Sequence, residues 1–450
     1  MKAWLGTLWS AVRDSLWFVP AVFTTVASAL AVALMAAERR GVLWSGDPPR
    51  WVYGGEAEGA RMVLNTIAGS LITVTGVIFS VTIVAVQLAS SQYTPRVLRN
   101  FSSDRGNQGV LGIFIGTFTY AVLVLRAVRS PEAEGGAFVP RLGVTLAVAL
   151  VVVCVAALIY FINHLARELH VTAILDRIAG ATMGNVHQLF PEHIGHADQD
   201  PPPDPREPEH DSVPVRAREA GYIQAVDEDR LFQLGQKQRI VIGMQPKIGD
   251  YVLPGRALAS VWTEGGVSAE LERAIQKAFI LGPERTPQQD VEFGMIQMSD
   301  IAIKALSPSI NDPTTAIRCI DRLAEVLAEF GNRKPPEARR TREGQVRFVA
   351  NYTTFDSAVK VAYDEIRHFG ARIPVIAEQL LDTLGELLER VPEGRRQPLL
   401  DEARAVLYTA RSEIDNPRDR ESIEQAAKRL AEKAGPGVSL DTPDESAEGN

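Results

Sequence analysis

Six polar side chains, Thr66, Ser70, Thr73, Ser80, Gln87 and Ser91, recur at steps of three, four or seven through Met62–Pro95, a stretch without a single charge. Those steps place them along one stripe of an α-helix. Gly69 and Gly76 lie beside the stripe. Hydroxyls and amides find no partner among acyl chains. The stripe is therefore expected to meet protein, as a helix–helix contact, or water, as the lining of a path through the membrane. Pro95 is then expected to break or kink the helix, with Arg96 and Arg99 at the membrane edge. They read either as a snorkelling, ion-paired turn or as an arginine ring at the mouth of an oligomeric pore.

A second set of oxygens comes from Asp290, Asp300, Asn311 and Asp312, on and after a helix expected to start in a capping box at Thr286-Pro-Gln-Gln289. These groups suit caps and turns, or a loop that binds a ligand or hard cation. The loop lacks the alternating carboxylates and glycine of an EF-hand, and His187, His193 and His196 match no closed zinc spacing. No nucleophile–base pair, phosphate-cradling glycine loop or CxxC pair stands out. No cofactor is expected, and the residues assign no metal and no ligand.

These residues must be held by two very different halves. Up to Asn163 the chain carries 12 basic and 8 acidic residues; the remainder carries 35 and 47, a net of −12. That acidic balance argues against nucleic acid as a partner. Cys154 and Cys319 fall in different regions, so no disulfide framework is expected.

Residues 1–163 are expected to form a membrane domain of four transmembrane helices: about Leu16–Ala37, within Val63–Leu88, about Val110–Leu125 and Leu142–Ile162. Met1–Asp14, with Trp4 and Trp9, reads as an amphipathic lead-in. The third span carries Gly112-x-x-x-Gly116, a small face for close helix approach. The fourth, nearly pure Val, Ala and Leu, is expected to face lipid most. Loop arginines and lysines tie at seven on each side, so charge gives no orientation. The expectation is that both termini, and the large C-terminal part, are cytoplasmic.

Residues 164–214 are expected to be a polar membrane-proximal helix, His164–His196, followed by a Pro-rich acidic linker. Residues 215–264 read as a small β-barrel or sandwich, with strands at Gly221–Val226, Arg239–Gly243 and Ala257–Trp262. Gly249-Asp-Tyr-Val-Leu-Pro-Gly-Arg-Ala-Leu258 resembles the turn and strand of lipoyl or biotinyl barrels, without a carrier lysine. Residues 265–434 read as a helical bundle interrupted by an isolated strand at Gln345–Tyr352, with Asp312, Asp356 and Asn416 as helix caps. A polar, disordered tail is expected at 435–450. The fold class is thus α-helical membrane protein plus α+β cytoplasmic domain.

Taken together, GVIFSVTIVAVQLASSQYTPRVLRNF, GTFTYAVLVL, GYIQAVDEDRL, QQDVEFGMIQMSDIAIKALSPSINDPTTAI and Asp419-Arg420 resemble a bacterial family of membrane proteins, domain of unknown function 2254. The resemblance spans roughly Ala11–Ala434. It implies a four-span inner-membrane protein with a cytoplasmic domain, and no particular activity. Three functions are open at this point. The first is a homo-oligomeric channel lined by the second span. The second is a membrane-anchored ligand or cation sensor or scaffold. The third is a metal-dependent hydrolase using Asp290, Asp300 and Asp312.

Overall fold

The computed structural model describes residues 17–40, 49–92, 105–130, 137–168, 170–190, 212–263, 265–334, 338–342, 344–436 and 438–440. The expected lead-in, the Arg96/Arg99 turn, nearly all of the Pro-rich linker and most of the tail lie outside them. The chain divides into two units, Met1–Ala173 and Ile174–Asn450.

The first unit is built from α1 (Phe18–Arg39), α2 (Ala57–Gln92), α3 (Arg105–Ala127) and α4 (Arg141–Glu168), each long and apolar enough to cross a bilayer. At 1.5 Å per residue the 36 residues of α2 reach about 54 Å, well beyond a hydrocarbon core of about 30 Å. Leu64, Ala68, Leu71, Ile78 and Ala85 form its buried seam. That seam packs with Tyr120, Ala121 and Val124 of α3 and Val144 and Ala147 of α4. Further along, it packs with Val110, Phe114, Cys154 and Phe161.

The third span is the shielded one, 56% of its apolar window being buried. The fourth is 22% buried and the first only 11%, so α1, not α4, is the most open to its surroundings. Composition predicts contact with lipid, but position in the bundle decides it. Gly112 and Gly116 are where α1 meets α3: a Cβ at Gly112 would lie 3.0 Å from the Phe23 ring, and one at Gly116 3.3 Å from the Phe23 carbonyl oxygen.

In the second unit, α5 (Val171–Leu189) is a separate helix, with His170 between it and α4. The expected continuous polar helix from His164 is therefore broken. Ile174, Leu175, Ile178, Ala179, Thr182 and Val186 form its buried stripe. Two sheets follow. In the first the order is β1 (Ser212–Arg216), β5 (Ala257–Trp262), β3 (Val241–Met244), β8 (Gln345–Val349), β7 (Arg339–Arg342). The second is β4 (Tyr251–Val252), β2 (Gly221–Val226), β6 (Phe279–Gly282). One core unites them, with Val215, Ile223, Ile242, Val252, Val261, Phe279 and Phe348 all buried. Gln345–Val349 is thus not an isolated strand: it pairs in parallel with β3, Ile242 opposite Phe348, and antiparallel with β7. Strands from beyond residue 264 complete both sheets. The stretch Glu228–Gln238, read as part of the β region, is helix α6; a shorter helix, α7 (Ala269–Gln276), follows β5.

The helical layer comprises α8 (Val291–Ala305), α9 (Pro313–Gly331), α10 (Phe355–Gly370), α11 (Pro374–Arg390), α12 (Gln397–Glu413) and α13 (Pro417–Ala434). Asp312 and Asn416 cap α9 and α13 as expected. Two caps differ. Thr354, not Asp356, caps α10 by accepting from the Ser357 N–H at 3.1 Å. The Thr286 capping box does not form. Asp290 caps α8 instead, accepting from Phe293 N–H at 3.0 Å, while Gln289 Oε1 accepts from Val226 N–H. Arg285 explains the shift: its two hydrogen bonds hold the Asp290 carboxylate where the first turn must begin.

Candidate functional site: the polar face of the second span

The stripe and the seam of α2 lie on opposite sides of the helix. Leu64, Ala68, Leu71, Ile78 and Ala85 are buried, whereas Thr66, Ser70, Thr73, Ser80 and Gln87 are exposed with respect to the rest of the chain. Ser91 lies within the helix; Arg96 and Arg99 fall outside the described residues. Asn65, which composition alone did not single out, is exposed on the flank of the same side.

Two of these groups look after themselves. The Thr66 hydroxyl donates to the Met62 carbonyl at 2.8 Å and the Thr73 hydroxyl to the Gly69 carbonyl at 3.0 Å. Such back-bonding satisfies a hydroxyl without a second helix. Ser70, Ser80 and Gln87 have no protein partner among the described residues. The amide of Gln87 has two donors and an acceptor to satisfy. A Cβ placed at Gly69 or Gly76 would meet nothing within 4 Å. Packing inside this chain therefore does not call for glycine there, although glycine in a helix interior costs about 1 kcal/mol against alanine.

The acidic set is distributed rather than gathered. Asp290 is 3% exposed. Arg285 Nε and Nη2 donate to its two oxygens at 2.7 and 2.9 Å. Burial pushes the Asp290 carboxyl above its ordinary range, and Arg285 pulls it part of the way back. Asp312 accepts from the Thr315 N–H at 3.1 Å and from the Thr315 hydroxyl at 2.6 Å. Asn311 is an exposed turn residue with φ of 50°, and Asp300 is half-buried midway along α8. Among the described residues no three His, Cys, Asp or Glu side chains stand where one ion could be held.

Sequence reasoning missed the network beside Asp290. Lys247 Nζ donates to Glu292 Oε1 at 2.7 Å and to Ser357 Oγ at 2.9 Å, and Ser357 Oγ donates to Glu292 Oε1 at 2.6 Å. Gly249, at φ of 91°, leaves the space above Asp290 that Arg285 fills. The signal was the Gly249-Asp turn, whose glycine answers to this ionic cluster.

Four membrane-length helices joined to a mixed α/β unit define a multi-pass membrane protein. The family model for "Predicted membrane protein (DUF2254)" matches residues 13–386, and the chain belongs to that family of inner-membrane proteins. An uncharacterized protein of Mycobacterium bovis is 36% identical over 388 residues, covering 85% of this chain and 74% of its own. An uncharacterized protein of Mycobacterium tuberculosis matches with the same identity and coverage. No solved structure matches the chain.

Proposed function

We propose that this protein is the subunit of a homo-oligomeric membrane channel in which the polar face of α2 turns toward sister copies and lines the path between them. The observation that carries the reading is the outward position of Ser70, Ser80 and Gln87, polar groups without a partner among the described residues. Acyl chains would leave them unsatisfied; water or a sister helix would not. Gly69 and Gly76 support the same reading, because they would let a second helix approach closely. The acidic C-terminal unit, on the cytoplasmic side, would regulate opening.

Single cysteines at Ser80 and Phe79 test the arrangement in native membranes. Ser80→Cys should form disulfide-linked dimers on mild oxidation, and Phe79→Cys, on the flank, should not. In planar bilayers the purified protein should conduct, and a thiol reagent should block Ser80→Cys alone. Equal cross-linking at both positions, or silence under varied voltage and tension, would defeat the proposal.

A further inference from the structure

The second unit is acidic, yet one open cleft on it is cationic. It has a volume of about 410 Å³ and is lined by Gln233, Gln236, Lys237, Arg239, Arg342 and Arg347. The end of α6 and the β7–β8 hairpin bring these residues together from more than 100 positions apart in the chain. Gly235 makes the approach possible: a Cβ there would collide with the Arg347 carbonyl oxygen. The helix therefore rides directly on β8.

Among the described residues, no carboxylate neutralises the charges in the cleft. Arg340 just outside it is neutralised, by Asp229 at 2.9 Å, with its guanidinium 4.7 Å from the centre of the Phe232 ring. By contrast Lys237, Arg239, Arg342 and Arg347 have no carboxylate partner among the described residues. Glu343 falls outside them. Among the described residues, Arg342 reaches Gln236 Oε1 at 3.5 Å, and Arg347 reaches Gln345 Oε1. Like charges gathered in one cleft raise the local positive potential, which favours an anion between them.

Arg239 enters the cleft from the end of α6. It takes φ of 54°, ψ of 40° at the C-terminal end of α6, a left-handed position that favours glycine. The Arg239 and Ile240 N–H groups, bonded to the Gln236 and Gly235 carbonyls, hold the helix end in that shape and aim Arg239 at the cleft. Among the described residues no aromatic ring lines the cleft, so they offer no stacking surface for a base. Guanidinium forks and glutamine amides suit phosphate oxygens instead.

We propose that this cleft binds a multiply charged phosphate anion, held by Arg239, Arg342 and Arg347 with Lys237 as a further point charge. The anion is either a soluble polyphosphate compound or the phosphorylated headgroup of a lipid.

Calorimetry with inorganic tripolyphosphate, on the full chain in nanodiscs of neutral phosphatidylcholine at low salt, tests this. Saturable binding is expected, weakened at least tenfold in Arg239→Gly and further in Arg239→Gly/Arg342→Gln. Arg239→Gly relieves the left-handed strain, so its melting temperature should hold or rise, which separates lost binding from lost folding. Arg342→Lys should weaken binding less than Arg342→Gln, since it keeps a charge but loses the fork. Repeating the titration in nanodiscs containing phosphatidylinositol phosphate distinguishes the sources. Competition there assigns the cleft to a lipid headgroup, and an unchanged affinity assigns it to a soluble anion. No saturable heat up to millimolar tripolyphosphate, or equal affinity in wild type and double variant, overturns the proposal.

Discussion

Arg285 and Asp290 lie five residues apart and close on each other with two parallel hydrogen bonds, in a place where the carboxylate is 2% and the guanidinium 18% exposed. That pair sits between the Gly249 turn and the first turn of α8. Removing Asp290 costs Arg285 both of its close hydrogen bonds and leaves it Glu292 at 3.8 Å. Asp290→Ala should cost about 3 kcal/mol, because it removes the helix cap as well. Arg285→Met/Asp290→Leu should recover part of that loss, since the pair goes together and Lys247 still faces Glu292, while the cap stays missing. Denaturant unfolding of the detergent-solubilised chain, followed by fluorescence, checks both.

Glu402 of α12 should make stability depend on pH. Burial pushes its carboxyl up to about 7; Arg367, donating at 3.0 Å, opposes this, and the nearby Asp364 charge reinforces it. Because the folded value lies above the ordinary 4.5, the native state holds the proton more tightly than the unfolded chain. The stabilisation is full below about pH 4.5 and is lost as pH rises through about 7, a swing on the order of 2–3 kcal/mol. Melting temperatures measured across that window should fall for the wild type. For Glu402→Gln they should stay nearly flat.

Helices α5 and α8 touch through Gly294, where a Cβ would overlap the Thr182 hydroxyl. That hydroxyl is already committed to the Ile178 carbonyl at 2.7 Å. Gly294→Ala should therefore destabilise by about 1–3 kcal/mol, against the usual gain of Gly→Ala in a helix. Adding Thr182→Ala should restore most of the loss. Thermal melts of the two single variants and the double variant make the cycle.

Tyr363 is fully buried, and its hydroxyl has no hydrogen-bond partner among the described residues. Tyr363→Phe removes that buried polar atom and keeps the ring. Stability should hold or rise by up to about 1 kcal/mol. A clear loss, measured by the same melts, would reveal an ordered water bound to the hydroxyl.

What could be read from the residues alone follows from how local each signal is. The four spans were legible because charge-free runs longer than a bilayer core leave few alternatives. So were β2, β5 and the caps at Asp312 and Asn416, each set by neighbours a few positions away. Helix α6 was missed although Asp227, the acidic pair Glu228-Asp229 and Lys237 mark its two ends. The pairing of β8 was not legible, because its parallel partner β3 lies about a hundred residues earlier. The same distance hid the cationic cleft. The polar stripe of α2 was visible as a pattern, but which side of the helix the bundle would cover depends on α3 and α4.

The parallel contact between Ile242 and Phe348 ties together two regions that the sequence separates by about a hundred residues, helices α8 and α9 among them. Anyone cutting the gene to express the water-facing part alone has little freedom as a result. A fragment opening at Gly221 would strip Val213 and Val215 from beside Val261 and Ala259 and bare the edge of the larger sheet. One closing before Gln345 would leave β3 without its parallel neighbour β8 and expose the shared core.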